Sequence, residues 1–189
     1  MGAKLKLLNA LEQELSKKSL DDISIVQLIQ IAGVNRQTFY YHFKDVFDLV
    51  EVYYNKKLMA VLGENITYDT WQIGLKKALQ YMKMNERLLY HTYHSKGREY
   101  LTDFLNRISL HIIQQLITKQ ALVEKKEEAI EHIESVAFFY ERALSGLILE
   151  WARQGMHTTP EEIVSYVDHF LEDTIRLTLK KLNGTTPIR

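Results

Sequence analysis

The sequence predicts an all-α protein of about nine helices, a helix-turn-helix head on a helical bundle. Three observations carry that expectation. The 189 residues include only two prolines and eight glycines, so little interrupts a helix. Apolar residues recur three and four positions apart along almost the whole chain, the spacing of one helix face. Capping boxes, in which an N-cap oxygen and a side chain three residues on satisfy free backbone amides, mark helix starts. They fall at Ser24 with Gln27, Asp45 with Asp48, Asp69 with Gln72 and Thr159 with Glu162.

Taken in order, the first helix covers about residues 4–18, where leucines are interrupted by Asn9, Glu12 and Glu14. The second, 24–32, starts at the Ser24 box, with Ile23 and Leu28 placed to clasp its entry, and stops at Gly33. Asn35 caps a short third helix over 35–42. The Asp45 box, with Phe43 and Leu49 as its apolar clasp, opens a fourth over 46–62. Helices follow over 70–83, with Trp71 packing its start, then 86–94, 98–119 and 124–154. The last runs over 160–181, with Pro160 at the first helical position, where a missing amide costs nothing. Residues 183–189 read as a frayed tail.

Composition narrows the function classes. Twenty-four Lys and Arg balance 24 Asp and Glu, so bulk attraction to nucleic acid or to an anionic membrane does not organise the chain. A 46% hydrophobic and 25% charged content suits an ordinary folded core. The absence of cysteine removes disulfides, thiol catalysis and thiolate metal sites. The longest apolar runs, 58–62 and 136–140, are five residues each, far short of the roughly 18 that span a bilayer. A cytoplasmic location without membrane contact is therefore expected. With no linker or repeat, a boundary near Asp45 is a change of role along packed helices.

The most informative stretch is Ile23 to Leu49, ISIVQLIQIAGVNRQTFYYHFKDVFDL. Two short helices across a glycine turn make a helix-turn-helix, whose second member enters the DNA major groove. At Ala32, Gly33, Val34, Asn35, Thr38, Phe39, Tyr40, His42, Phe43 and Leu49 it resembles the TetR family of transcriptional regulators. The resemblance covers about residues 5–60 in motif and the remainder in architecture. NRQTFYYHFKD further resembles the subgroup that includes activators of dihydroxyacetone kinase operons. The resemblance implies a DNA-binding domain over 1–45 and an effector-binding and dimerisation domain over 46–189. It also implies that the helix from Arg36 to His42 reads a palindromic operator in double-stranded DNA.

On that helix Arg36 and Gln37 suit guanine and adenine edges, while Thr38, Tyr40, Tyr41 and His42 suit a thymine methyl, base edges or phosphate. Asn35, Ser24 at its helix N-terminus, and Lys44 complete the expected DNA contacts. The family's lysine at the start of the next helix is absent. Val46 stands there, and Lys44 is its natural substitute. Residues 1–57 carry eight basic and seven acidic side chains, so the reading rests on placement: residues 35–44 hold two bases and no acid.

In the C-terminal half, the apolar arc from Val136 onward is wider than one core contact requires, and the helix from Pro160 has a similar excess. The resemblance implies that these two helices pair across a homodimer. Phe139, Ala143, Gly146, Leu147, Trp151, Val167 and Phe170 are the candidate interface. The other reading is a monomer with a fully buried central helix. Tyr90, His91, Tyr93, His94 and His111 are candidates to orient a small-molecule effector, or else they cover the core with their polar ends wet. His91 and His94 could share a helix face, but two histidines are not a metal site. No nucleotide-binding or nucleophile motif occurs, so neither catalytic residues nor a cofactor are expected.

The chain thus reads as a homodimeric, sequence-specific transcriptional regulator controlled by a small molecule or partner. Repression is the family's commoner mode and activation that of the subgroup. A partner-dependent coactivator or adaptor with weak DNA binding is the alternative, and a helical small-molecule enzyme a remote one.

Overall fold

A computed structural model describes residues 2–62, 70–123 and 133–181. Among them nine α-helices and no strand occur. They are α1 (Ala3–Leu15), α2 (Ile25–Ala32), α3 (Arg36–His42), α4 (Val46–Leu62), α5 (Trp71–Met84), α6 (Glu86–Tyr93), α7 (Arg98–Val123), α8 (Ile133–Arg153) and α9 (Pro160–Lys181). The predicted first helix stops early, at Leu15. The Lys17 and Lys18 amides turn back onto the Glu14 carbonyl, and Leu20–Asp22 forms a 3-10 turn that periodicity does not announce. The expected cap at Asp69 and the start of the eighth helix over 124–132 lie outside the described residues.

Two of the remaining boxes form as their spacing requires, and that at Asp45 forms in half. Ser24 Oγ accepts from Gln27 N, while Gln27 Oε1 accepts from Ser24 N at 3.0 Å. Thr159 and Glu162 reciprocate in the same way at 2.8 and 3.2 Å. Asp45 Oδ1 takes the amides of Phe47 and Asp48, and the Asp48 carboxylate takes the amide of Lys44 rather than that of Asp45.

One apolar core runs without a break from Leu7 and Leu11 of α1, through Phe39 and Phe43, to Ile163 and Ile175 of α9. The helix-turn-helix is therefore seated on the same core as the bundle. α4 is the strut between them, packing on α1 at one side and on α5 and α7 at the other. Its Tyr54 hydroxyl meets Thr92 Oγ1 at 2.7 Å in the interior, and Tyr53 OH meets Tyr81 OH at 3.3 Å. Burial pushes both phenols well above the usual tyrosine range. Phe47 stacks on Tyr100 at 5.1 Å and Arg107 pairs with Glu51 at 2.8 Å, tying α4 to α7.

A second set of contacts holds the α6–α7 corner to the end of α1. Leu15 O accepts from His91 Nδ1 at 2.6 Å, so that nitrogen carries the proton. Asp21 Oδ1 accepts from Lys96 N at 3.1 Å. Gly97 lies so close to Leu20 that a Cβ there would collide with its side chain. In the bundle, α7 packs along α8, and α9 lies on α5 through Gln72–Asp168 and Lys76–Glu161 contacts of 3.1 Å.

Candidate nucleic-acid interface

Local chemistry sets the angle between α2 and α3. Gly33 takes the left-handed conformation (φ 61°, ψ 43°), which frees its own amide for Gln30 O and that of Val34 for Ile29 O. This closes the last turn of α2. Asn35 then caps α3: its Oδ1 accepts from Thr38 N at 2.8 Å and from Thr38 Oγ1 at 2.9 Å. Two residues on the inner side, Phe39 and Phe43, are in the core, with rings 5.8 Å apart. The seven residues of α3 and the Phe43 that caps them are enough to bury one pair of rings and leave the opposite side to solvent.

That opposite side carries Arg36, Gln37, Tyr40 and Tyr41, all exposed, with Tyr41 84% accessible. Lys44 is exposed just beyond the helix. His42 is half-buried, its ring against Tyr41 and Phe43. Ser24, Asn35 and Thr38 have their oxygens engaged in caps, so they hold the two helices in shape and have less to offer a ligand than spacing suggests. Val46 is half-buried against the core. Lys4 was not singled out by its spacing, yet α1 carries its ammonium to 5.8 Å from the Phe43 ring, beside the end of α3. Only tertiary packing reveals that cation.

The aromatic and histidine candidates of the bundle do not line one interior cavity. Tyr90 and His94 are exposed and in contact, their rings tilted at 46° with centres 4.3 Å apart. Tyr93 is in the core under the Arg98 guanidinium, and His91 is occupied with the α1 carbonyl. His111 is exposed on α7. Tyr90 and His91 border a surface groove of about 170 Å³ with Arg87, Gly155 and Met156. Between α5, α7 and α8 lies a cavity of about 30 Å³ whose walls include Leu79, Met82, Leu105, Ser109 and Ile148, and none of the five candidates.

The proposed pairing surface divides in two. Phe139 is 69% exposed, and Ala143, Gly146 and Phe170 are exposed beside it; Leu147 is half-buried. Phe139, Ala143, Leu147 and Phe170, together with Tyr166, border an apolar groove of about 570 Å³ between α8 and α9. Trp151 needs correction: it is buried within the subunit away from the groove, whereas Val167, also largely buried, lines the groove wall. The Trp151 indole donates to Thr158 O at 2.9 Å and so holds the α8–α9 turn, where Gly155 and Met156 both have positive φ.

An all-α body carrying a glycine-turned helix pair with one polar, solvent-facing side defines the helix-turn-helix class of regulators. Residues 69–173, more than half the chain, match the TetR family model described as "Transcriptional regulator C-terminal region". The chain belongs to the TetR family of transcriptional regulators. Among solved structures it is similar to the dihydroxyacetone kinase operon activator DhaS. There the TM-score is 0.69 at 18% identity, over 93% of this chain and 97% of that one. It is also similar to native NalD, the secondary repressor of the MexAB-OprM multidrug efflux pump in Pseudomonas aeruginosa. That match has a TM-score of 0.58 at 16% identity, over 88% of this chain and 93% of that one. No curated protein matches the sequence. At these identities the structural likeness is one of fold.

Proposed function

We propose that the chain is a sequence-specific regulator that binds a palindromic operator as a homodimer, with α3 in the major groove. The two-sidedness of α3 supports this reading best: its aromatic anchors are buried, and Arg36, Gln37, Tyr40 and Tyr41 are left outside. Arg36 and Gln37 would read base edges, Tyr41 and His42 would contact the backbone or a thymine methyl, and Lys44 with Lys4 would take phosphates. Residues 1–45 read DNA in this proposal. Residues 46–189 pair the subunits and receive the controlling small molecule or protein.

Pairing through α8 and α9 is supported by Phe139, Ala143, Gly146 and Phe170, an apolar surface of the kind two-fold interfaces bury. A dimer would set two α3 helices about 34 to 36 Å apart, or a multiple, as successive grooves require. Repression by operator occupancy is the mode we propose, since it needs nothing beyond such a dimer. Partner-dependent coactivation is the second reading, favoured by Val46 where a lysine would meet phosphate.

The test is selection of bound sequences from a random duplex library by the purified protein, at fixed and stated salt. A palindromic consensus with half-sites one helical turn apart, or a multiple, is expected. Absence of enrichment would overturn autonomous DNA recognition and favour the partner-dependent reading.

A further inference from the structure

We infer that Tyr40 is a positioning residue that sets which base Arg36 reads, rather than an independent contact of its own. The inference rests on the proposed docking of α3. Arg36 is the first residue of the helix and Tyr40 lies one turn on, so their side chains are neighbours on one face. The Arg36 guanidinium lies 5.6 Å from the centre of the Tyr40 ring, and its Nη2 donates to the Tyr40 hydroxyl at 3.4 Å. A cation over a ring and a hydrogen bond to the same side chain leave the guanidinium far fewer orientations than a free arginine has.

The support continues inward. The Tyr40 ring stands edge-on to Phe39 at 5.5 Å and 86°, and Phe39 is fully buried. The backbone of the first turn, from which Arg36 projects, is held by the Asn35 cap on Thr38. Core, ring and guanidinium therefore form a short stack that ends in solvent on the outer side of α3. A guanidinium has five N–H donors, and the Tyr40 hydroxyl takes one. Two of the remainder suffice for O6 and N7 of a guanine. Holding the group in place before docking lowers the ordering cost of that contact, and this favours one base over another. Tyr41 is the contrast: its ring packs on the half-buried His42, and it does not reach Arg36 by any comparable contact.

The experiment uses the full chain and a duplex carrying the consensus recovered by the wild-type protein, together with every single-base variant of it. Binding is measured for wild type, Arg36→Ala, Tyr40→Ala, Tyr40→Phe and the double alanine variant. Arg36→Ala should lose discrimination at one base pair by roughly 5- to 150-fold, the range of a bidentate contact. Tyr40→Ala should lose about two- to fivefold at that same base pair, as an exposed cation–ring contact implies, and Tyr40→Phe, which keeps the ring, should lose less than twofold. In the Arg36→Ala background, Tyr40→Ala should change that discrimination no further. A merely structural role would lower affinity for all duplexes alike and leave base preference unmoved. Additive losses, or a Tyr40→Ala loss at a different base pair, overturn the positioning role while leaving the DNA reading intact. A wild-type protein that recovers no consensus overturns the DNA reading itself, and this inference with it.

Discussion

A carboxylate at position 143 separates the folding of one subunit from the pairing of two. Ala143 is exposed on α8, and its helical neighbours three and four residues away are Phe139, Tyr140, Gly146 and Leu147, none of them a cation. In a lone subunit Ala143→Glu therefore points a charge into water, at a helix-propensity cost of a few tenths of a kcal/mol. If α8 and α9 pack on a second copy, the same carboxylate is buried among aromatic and aliphatic groups without a partner. An uncompensated buried charge costs about 3 to 5 kcal/mol, and two-fold symmetry brings two of like sign together. The lower and upper figures for one charge raise the dimer dissociation constant by roughly 150- and 5,000-fold. Sedimentation velocity over a concentration series reads that change directly, with far-ultraviolet circular dichroism and a thermal melt as the check on folding. A variant that sediments like the wild type would refute the assignment of this face to pairing. So would a variant that loses its helix content, because the side chain would then belong to the interior of the subunit.

Four further outcomes follow from particular residues. Lys44→Ala should weaken binding to all duplexes alike and reduce the salt slope by about one; a loss confined to one sequence would show that Lys44 reads bases. Phe39→Ala, which empties a fully buried site under α3, should destabilise the protein by about 3 to 5 kcal/mol in urea unfolding, and a cost below about 1 kcal/mol would mean the recognition helix is not anchored there. Trp151→Phe leaves Thr158 O without its indole donor and should lower stability by about 1 to 3 kcal/mol with no effect on self-association, whereas loss of association would restore Trp151 to the interface. The pH dependence comes from Tyr53 and Tyr54, whose folded pKa values lie above that of an unfolded tyrosine. Their stabilisation is complete below about pH 10 and falls as pH rises beyond it, because only the unfolded chain ionises there. Tyrosinate absorbance should show at least two of the eleven phenols ionising only with unfolding, and free titration of all eleven near pH 10 would contradict their burial.

The head was legible because its determinants are local. A serine and glutamine three apart, a glycine that must go left-handed and an asparagine before Arg36 act within one turn of chain, and each forms the contact its spacing implies. Where the outcome depends on another element, the sequence was silent or misleading. The 3-10 turn at Leu20–Asp22 has a local cap, Ser19 Oγ on Asp21 N, but it also meets the Lys96–Gly97 corner, some seventy residues away. His91 and His94 are three apart on one short helix, yet the end of α1 claims the first and Tyr90 the second. On α8 and α9 the wide apolar arc is real, but periodicity cannot say which apolar residues face inward. Trp151 turned in, Val167 lines the groove from a buried position, and Phe139 and Phe170 stayed exposed.

The small cavity between α5, α7 and α8 is walled by helices on which α4 rests. Its volume of about 30 Å³ is that of one water molecule, whereas ligand sites are typically about 300 Å³ or more. A molecule lodged there would have to part helices whose facing side chains now touch, since close-packed cores do not absorb such a volume elastically. Those helices include α5 and α7, on which α4 rests, and α4 leads directly back to α3 through Asp45 and Phe43. Prying them apart would displace the strut and with it the recognition helix, while His91 on Leu15 O and Asp21 on Lys96 N carry the same motion to α1. A ligand that bound by opening it and shifted α3 would change operator affinity, and linkage requires operator DNA to change the affinity for that ligand by the same factor.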